Sequence, residues 1–286
     1  MKKIVLFLLL CCISLSFIPS VQAQLALKME MSRKNYLKYE PVFAKVIMRN
    51  DSGHAIAFGH MKQLQGKLEF EITDSRRHTI QKINKDDYPI IGTIIRAGQT
   101  KQFIIPLSTY YNLKNPGKYR LHAYITHGML KNSYRSNDCV FEISPGVVLW
   151  QRTVGIPKFM RKKQTGTIPT RTFLIKSLLE ENHKTYFLQI EDEKRIYSVR
   201  RIGFELGQES FTCDVDMLSQ IHILLPVSPK IFSYLVYDIN GKLEKREVYK
   251  RTKTIPTLIR DPQNGKVYVA GGEVARKKLD YRDFQE

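Results

Sequence analysis

The chain has 286 residues, with 46 Lys or Arg against 27 Asp or Glu, a formal net charge of +19 at pH 7. That surplus favours anionic partners or surfaces, or serves solubility, and carries no information about fold. Four cysteines in a chain of this length exclude a disulfide-stapled scaffold, and the length itself suggests two domains with a sizeable core.

At the start, Lys2 and Lys3 precede an apolar run from Ile4 to Ile18, and small residues lead to a cut after Ala23. This is the three-part layout of a secretory signal. The run is short for a membrane span, which needs roughly twenty residues. A lipoprotein reading through Cys11 or Cys12 lacks the small residue wanted before an acylated cysteine. Residues 1–23 are therefore read as a cleaved signal peptide, and the protein as periplasmic or secreted. Removing Lys2 and Lys3 from +19 leaves +17 on a chain beginning at Gln24, whose only cysteines are Cys139 and Cys213. No later stretch is long and apolar enough to be a transmembrane helix. The two remaining thiols are expected to stay free, packed as small hydrophobes, since they fall far apart in the sequence.

From Leu25 to Pro145 the runs LALKMEM, VFAKVIMRN, KLEFEIT, HTIQKI, KQFIIPL, KYRLHAYITH and CVFEIS are short and rich in β-branched or aromatic residues. Most alternate apolar with polar, and groups such as NDSG, TDSRR, RAGQ and KNPG separate them. Such strands, each with one buried and one wet face, predict a two-sheet sandwich over residues 24–145.

Two stretches carry a resemblance. YLKYEPVFAKVIMRNDSG, Tyr36 to Gly53, resembles the opening of bacterial immunoglobulin-like and macroglobulin-like domains. NPGKYRLHAYI, Asn115 to Ile125, resembles their late strand, in which Pro-Gly turns the chain and a Tyr anchors the core. The resemblance implies an immunoglobulin-like architecture for about 120 residues and nothing more. The paired inter-sheet cysteines of antibody domains are absent, and no macroglobulin thioester motif is present, so protease trapping is not implied.

Residues 146–170 are read as a basic linker, broken by Pro and Gly. Lys158, Arg161, Lys162, Lys163 and Arg171 in and beside it form a candidate polyanion-binding strip, because clustered cations bind polymeric anions in a salt-dependent way. The absence of interleaved aromatics argues against specific nucleic-acid recognition.

From Arg171 onward TFLIKSLL, KTYFLQIED, RIYSVRRIG, IHILLPV, FSYLVYDI, KLEKREVYK and KVYVAGG again read as strands, giving a second β-rich domain over 171–286. The core Asp-x-Asn-Gly-Lys of residues 238–242 has a near copy at Asp261, Asn264, Gly265 and Lys266. Neither copy closes a calcium loop, because the position twelve residues along is Tyr249 in one and Gly272 in the other. The pattern resembles hairpins of β-propeller repeats, yet about 115 residues are too few for a closed propeller. Both sites are read as hairpin turns, with Asn240-Gly241 forming a two-residue loop. The expected second domain is an open sheet stack or a sandwich.

No catalytic motif emerges. There is no Gly-x-Ser-x-Gly elbow and no His-Glu-x-x-His pair, and the Gly203 to Ser210 stretch lacks a phosphate-loop Lys. The one compact cluster is CDVDMLSQIH, where Asp214 and Asp216 share a face if extended, with Cys213 and His222 nearby. It is read as a polar turn leading into a strand, with a metal or acid-base site as the alternative. No cofactor, metal or catalytic residue is assigned. The sequence is read as an exported, non-enzymatic binding or structural module that contacts an anionic polysaccharide or envelope component. The alternative is a secreted hydrolase of glycans or peptides with its site in the second domain.

Overall fold

The computed structural model describes residues 24–61, 64–130, 132–160, 168–207 and 210–282. The signal-peptide reading of residues 1–23 lies outside them. The strands, in order, are β1 (Leu25–Met31), β2 (Asn35–Leu37), β3 (Phe43–Asn50), β4 (Ile56–Ala57), β5 (Gly66–Asp74), β6 (Ile94–Ile95) and β7 (Thr100–Pro106). There follow β8 (Gly117–His127), β9 (Tyr134–Arg135), β10 (Cys139–Ser144), β11 (Val147–Gly155), β12 (Thr170–Glu180), β13 (His183–Glu191) and β14 (Ile196–Phe204). The last are β15 (Thr212–Val215), β16 (Ile221–Ser228), β17 (Ile231–Tyr237), β18 (Leu243–Lys250), β19 (Thr257–Arg260), β20 (Val267–Ala270) and β21 (Glu273–Val274). The fold is all-β and multi-sheet; among the described residues the one α-helix is the four-residue turn Leu107–Tyr110, and no sheet closes into a barrel or propeller.

Contacts group the chain into two compact units. Among the described residues, the first holds 24–32, 43–111 and 120–140; the second holds 33–42, 112–119 and those from 141 to 282. The second unit thus draws on short segments from the region read as the first domain. The residues read as a linker, moreover, open with a strand: β11 pairs antiparallel with β12 along its length.

In the first unit β1, β3 and β7 form an antiparallel sheet. Alternation decides its faces: Ala44, Val46, Met48 and Asn50 of β3 are all buried while the residues between them are not. Asn50 is tolerated in that row because its amide donates to the carbonyls of His54 and Ile95 at 2.8 Å each and its Oδ1 accepts from Ser52. On β8, Leu121, Ala123 and Ile125 are fully buried. HTIQKI makes only isolated bridges at Thr79 and Lys82, not the strand expected.

The second unit stacks two antiparallel sheets, β11-β12-β13-β14 and β15-β16-β17-β18-β21. Phe173, Ile175, Tyr186, Leu188 and Ile190 on one meet Ile221, Ile223, Leu225 and Leu235 on the other. Strands β13 and β17 are buried on both faces, so their far sides need cover as well. Leu37 packs on Leu178 and Phe187 behind the first sheet. Leu258 and Val269 of the β19–β20 hairpin pack on Leu224, Phe232, Tyr234 and Val236 behind the second.

The repeated Asp-Asn-Gly elements are hairpin turns. Between β17 and β18 the loop has five residues rather than two, because the ladder shifts register and ends at Tyr237 opposite Leu243. Asp238 Oδ1 accepts from the Asn240 and Lys242 N–H groups at 2.8 Å, fixing the turn from its own side chain. Gly241 has φ +83°, and a methyl added there would run into the Ser198 side chain; Gly265 has φ +63° but its nearest neighbour, Met217 Cβ, is at 3.5 Å. Gly241→Ala should therefore cost about 2–3 kcal/mol, strain plus collision, whereas Gly265→Ala should cost about 1 kcal/mol, strain alone. Urea unfolding of the two variants measures the contrast, and equal losses would contradict it.

Candidate binding site

Of the candidate polyanion strip, Lys158 and Arg171 fall among the described residues. Lys158 is exposed in a short 3₁₀ turn, Lys158–Met160, while Arg161, Lys162 and Lys163 lie outside the described residues. Arg171, at the head of β12, is buried and committed internally. Its guanidinium donates to Asp192 Oδ2 at 3.0 Å and lies 3.6 Å over the Tyr197 ring. Asp192 in turn accepts from the Tyr197 hydroxyl at 2.6 Å and from the Lys194 and Arg195 N–H groups. The Tyr197 bond first, then these amides and the Arg171 charge, hold the Asp192 carboxyl down to about 2, below its ordinary 3.8. A carboxyl depressed on folding stabilises fully above its unfolded pKa and loses that contribution as pH falls through the folded one. Asp192→Asn should thus remove about 1–2 kcal/mol at neutral pH and flatten the stability loss of the wild type between about pH 4 and pH 2. Denaturation midpoints across that range check the prediction.

The acidic cluster is equally occupied. Asp214, on β15, accepts two bonds from Arg260 at 2.8 and 2.6 Å and one from Arg152 at 2.5 Å. Burial pushes its carboxyl up, and the Arg260 bond with its companions outweighs that and leaves it below the ordinary range. Asp216 closes the turn ahead of β16 by accepting from the Leu218 and Gln220 N–H groups. Its Oδ2 lies 3.2 Å from His222 Nε2, and His222 Nδ1 lies 2.7 Å from the Tyr234 hydroxyl. His222 and Tyr234 are buried, and burial pushes the Tyr234 phenol up to about 12. The chain Asp216–His222–Tyr234 thus forms a polar relay whose His and Tyr are buried. The polar-turn reading holds for residues 216–220, and Asp214 belongs to a strand instead.

Among the described residues no group of three or more His, Cys, Asp or Glu side chains is arranged to hold a metal ion. Cys139 and Cys213 are free. Cys213 packs against the core of the second unit, where burial pushes its thiol up to about 12. No described helix is long and apolar enough to cross a membrane.

A groove of about 570 Å³ lies in the first unit, between β5 and the loop residues 79–91. β5 is the last strand of its sheet. Its outer edge is bridged by residues 78–80 beside Ile72 to Asp74, at the end of the strand. Lys67, Lys82 and Lys85 line the groove together with Glu69 and Asp87. The wall is phenolic: the Tyr88 and Tyr111 hydroxyls meet at 2.9 Å, and the Tyr111 hydroxyl donates to the Phe70 carbonyl at 3.1 Å. Lys82 is fixed over this wall, 4.3 Å from the Tyr88 ring centre and 5.2 Å from that of Tyr110, with its ammonium donating to the Asp86 carbonyl. Lys67 and Lys85 are exposed, with no carboxylate partner among the described residues. Sequence reasoning missed this groove. Its residues come from three separated segments, and the only local hint was the density of Lys, Asp and Tyr in residues 82–88.

No protein-family model and no curated protein matches the chain. Two solved structures align over much of it. Spo0M, a sporulation control protein from Bacillus subtilis, is 11% identical over 63% of this chain and 91% of its own, with a TM-score of 0.25. The YadV chaperone is 6% identical over 78% of this chain and 98% of its own, also with a TM-score of 0.25. Likenesses this remote carry no argument about function.

Proposed function

We propose that the protein is an exported, non-enzymatic binding module that holds an acidic polysaccharide of the cell envelope or its surroundings in the groove beside β5. The observation that carries the reading is that Lys67, Lys82 and Lys85 line one groove with a phenolic wall. Ammonium groups suit sugar carboxylates, and the intervening Glu69 and Asp87 suit sugar hydroxyls. That mixture favours a hydroxyl-rich acidic chain over a polyphosphate, which two carboxylates would repel. The net surplus of cations adds long-range attraction that salt screens. Export rests on the signal-like residues 1–23, and the basic residues Lys158, Arg161, Lys162 and Lys163 are a second contact of the same chemistry.

The test is retention on polygalacturonate, with neutral dextran as control, at low and near-physiological ionic strength. The wild type should bind the acidic polymer with an affinity falling steeply with salt. Lys67→Gln, Lys82→Gln and Lys85→Gln combined should weaken binding at least tenfold. Equal retention of that variant and the wild type would overturn the groove assignment. A loss seen only with glutamines at Lys158, Arg161, Lys162 and Lys163 would move the site to that strip.

A further inference from the structure

We propose that β11 is a self-association surface through which two copies of this chain pair edge to edge. β11 is the end strand of its sheet, paired with β12 on one side and with no strand on the other among the described residues. Such an edge presents unpaired N–H and C=O groups as a template for another strand, and natural proteins normally blunt it with charge. Here it reads VVLWQRTVG, with Val147 64%, Val148 47% and Leu149 45% exposed. A register shift between Val148 and Trp150 leaves Leu149 without a partner residue in β12. The apolar strip continues at one end into Leu179, 63% exposed, which with Val147, Ser177, Asn35 and Glu142 lines a cleft of about 460 Å³. At the other end Ile168 sits close beside Gly155.

Charge selects the occupant. The strand holds one charged side chain in nine residues, Arg152, which is paired with Asp214 at 2.5 Å, a carboxylate it shares with Arg260. Over the whole chain Lys and Arg outnumber Asp and Glu by 46 to 27, so most approaches of two copies bring like charges together. The β11 strip, with one charged side chain in nine residues, is where they can meet at the least such cost, and two-fold antiparallel pairing makes the contact self-complementary and closed. An edge ladder about 30 Å long, with flanking side chains on both faces, removes on the order of 1,200 Å² from the two copies together, the lower end of what specific interfaces bury. The dimer is accordingly weak and concentration-dependent.

The proposal is independent of polysaccharide binding and has the opposite salt dependence. Screening relieves repulsion between cationic copies, so added salt should strengthen dimerisation several-fold while weakening polymer retention. Sedimentation velocity of the chain from Gln24 onward, over a wide concentration range, should show a monomer–dimer equilibrium. Val148→Lys with Leu149→Lys should leave monomer throughout, and Leu149→Gln, which keeps the side-chain size, should weaken the dimer at least tenfold if the double variant folds poorly. Ile104→Lys, at an exposed apolar position on β7, should leave the dimer intact. A wild type monomeric at all concentrations, a dimer unaffected by both β11 changes, or open-ended polymers would each overturn the proposal.

Discussion

The second unit is governed by one constraint: β13 and β17 are buried along nearly their whole length on both faces. A strand apolar on one face needs one packing partner, but these need two. The facing sheets supply the first partner, through Phe173, Leu188 and Ile190 against Ile223 and Leu235. The second comes from chain segments that make little structure of their own. Leu37, on a three-residue strand, covers Phe187, and the two-stranded β19–β20 hairpin covers Tyr234 and Val236. The unit thus has four layers, and its outer layers are short pieces held by what they cover.

The same constraint explains where the charges went. Covering a sheet with a short segment brings polar termini and turn residues against an apolar surface, and each buried charge must find a counter-charge or a hydrogen bond. Glu40, next to the covering Leu37, is buried, which pushes its carboxyl up, and it is met by the Leu37 N–H and Arg33. Glu180 is met by Arg201 and by the Thr185 hydroxyl. Arg260 ties the covering hairpin to Asp214 on β15. The carboxylates most suggestive of catalysis in the sequence are thus spent on assembly. The cations left exposed, such as Lys67 and Lys85, are the ones available to a ligand.

Much of the strand inventory was legible because local pattern and burial agree. KLEFEIT alternates strictly and becomes β5 with alternating burial, and FSYLVYDI, apolar without alternation, becomes the fully buried β17. The turns at Asp238 and Asp261 were legible through Gly241 and Gly265, both at positive φ. What stayed hidden depends on distant partners. Tyr36 and Leu37 sit in a run that reads as the opening of a sandwich, yet they pair in parallel with Ile143 and Ser144 and belong with the second unit. β11 was read as linker because it runs into a segment broken by Pro and Gly and rich in Lys and Arg, while its partner β12 lies beyond that segment. Arg171 was read as a surface cation because nothing local announces Asp192 and Tyr197, which β13 and β14 bring to it. The groove is assembled from residues up to 45 apart, Gly66 to Tyr111, and no local signal could delimit it.

The central claim, that doubly buried strands depend on remote covering segments, is tested most directly by native-state hydrogen exchange of the wild type and of Leu37→Ala. In the wild type the amides of β13 and β17 should be the best protected in the chain and exchange only through global unfolding. Truncating Leu37 should lower protection across β12 and β13 first, leaving β16 and β17 less affected. Fast exchange of β13 in the wild type, or unchanged β12 and β13 protection in Leu37→Ala, would contradict the account.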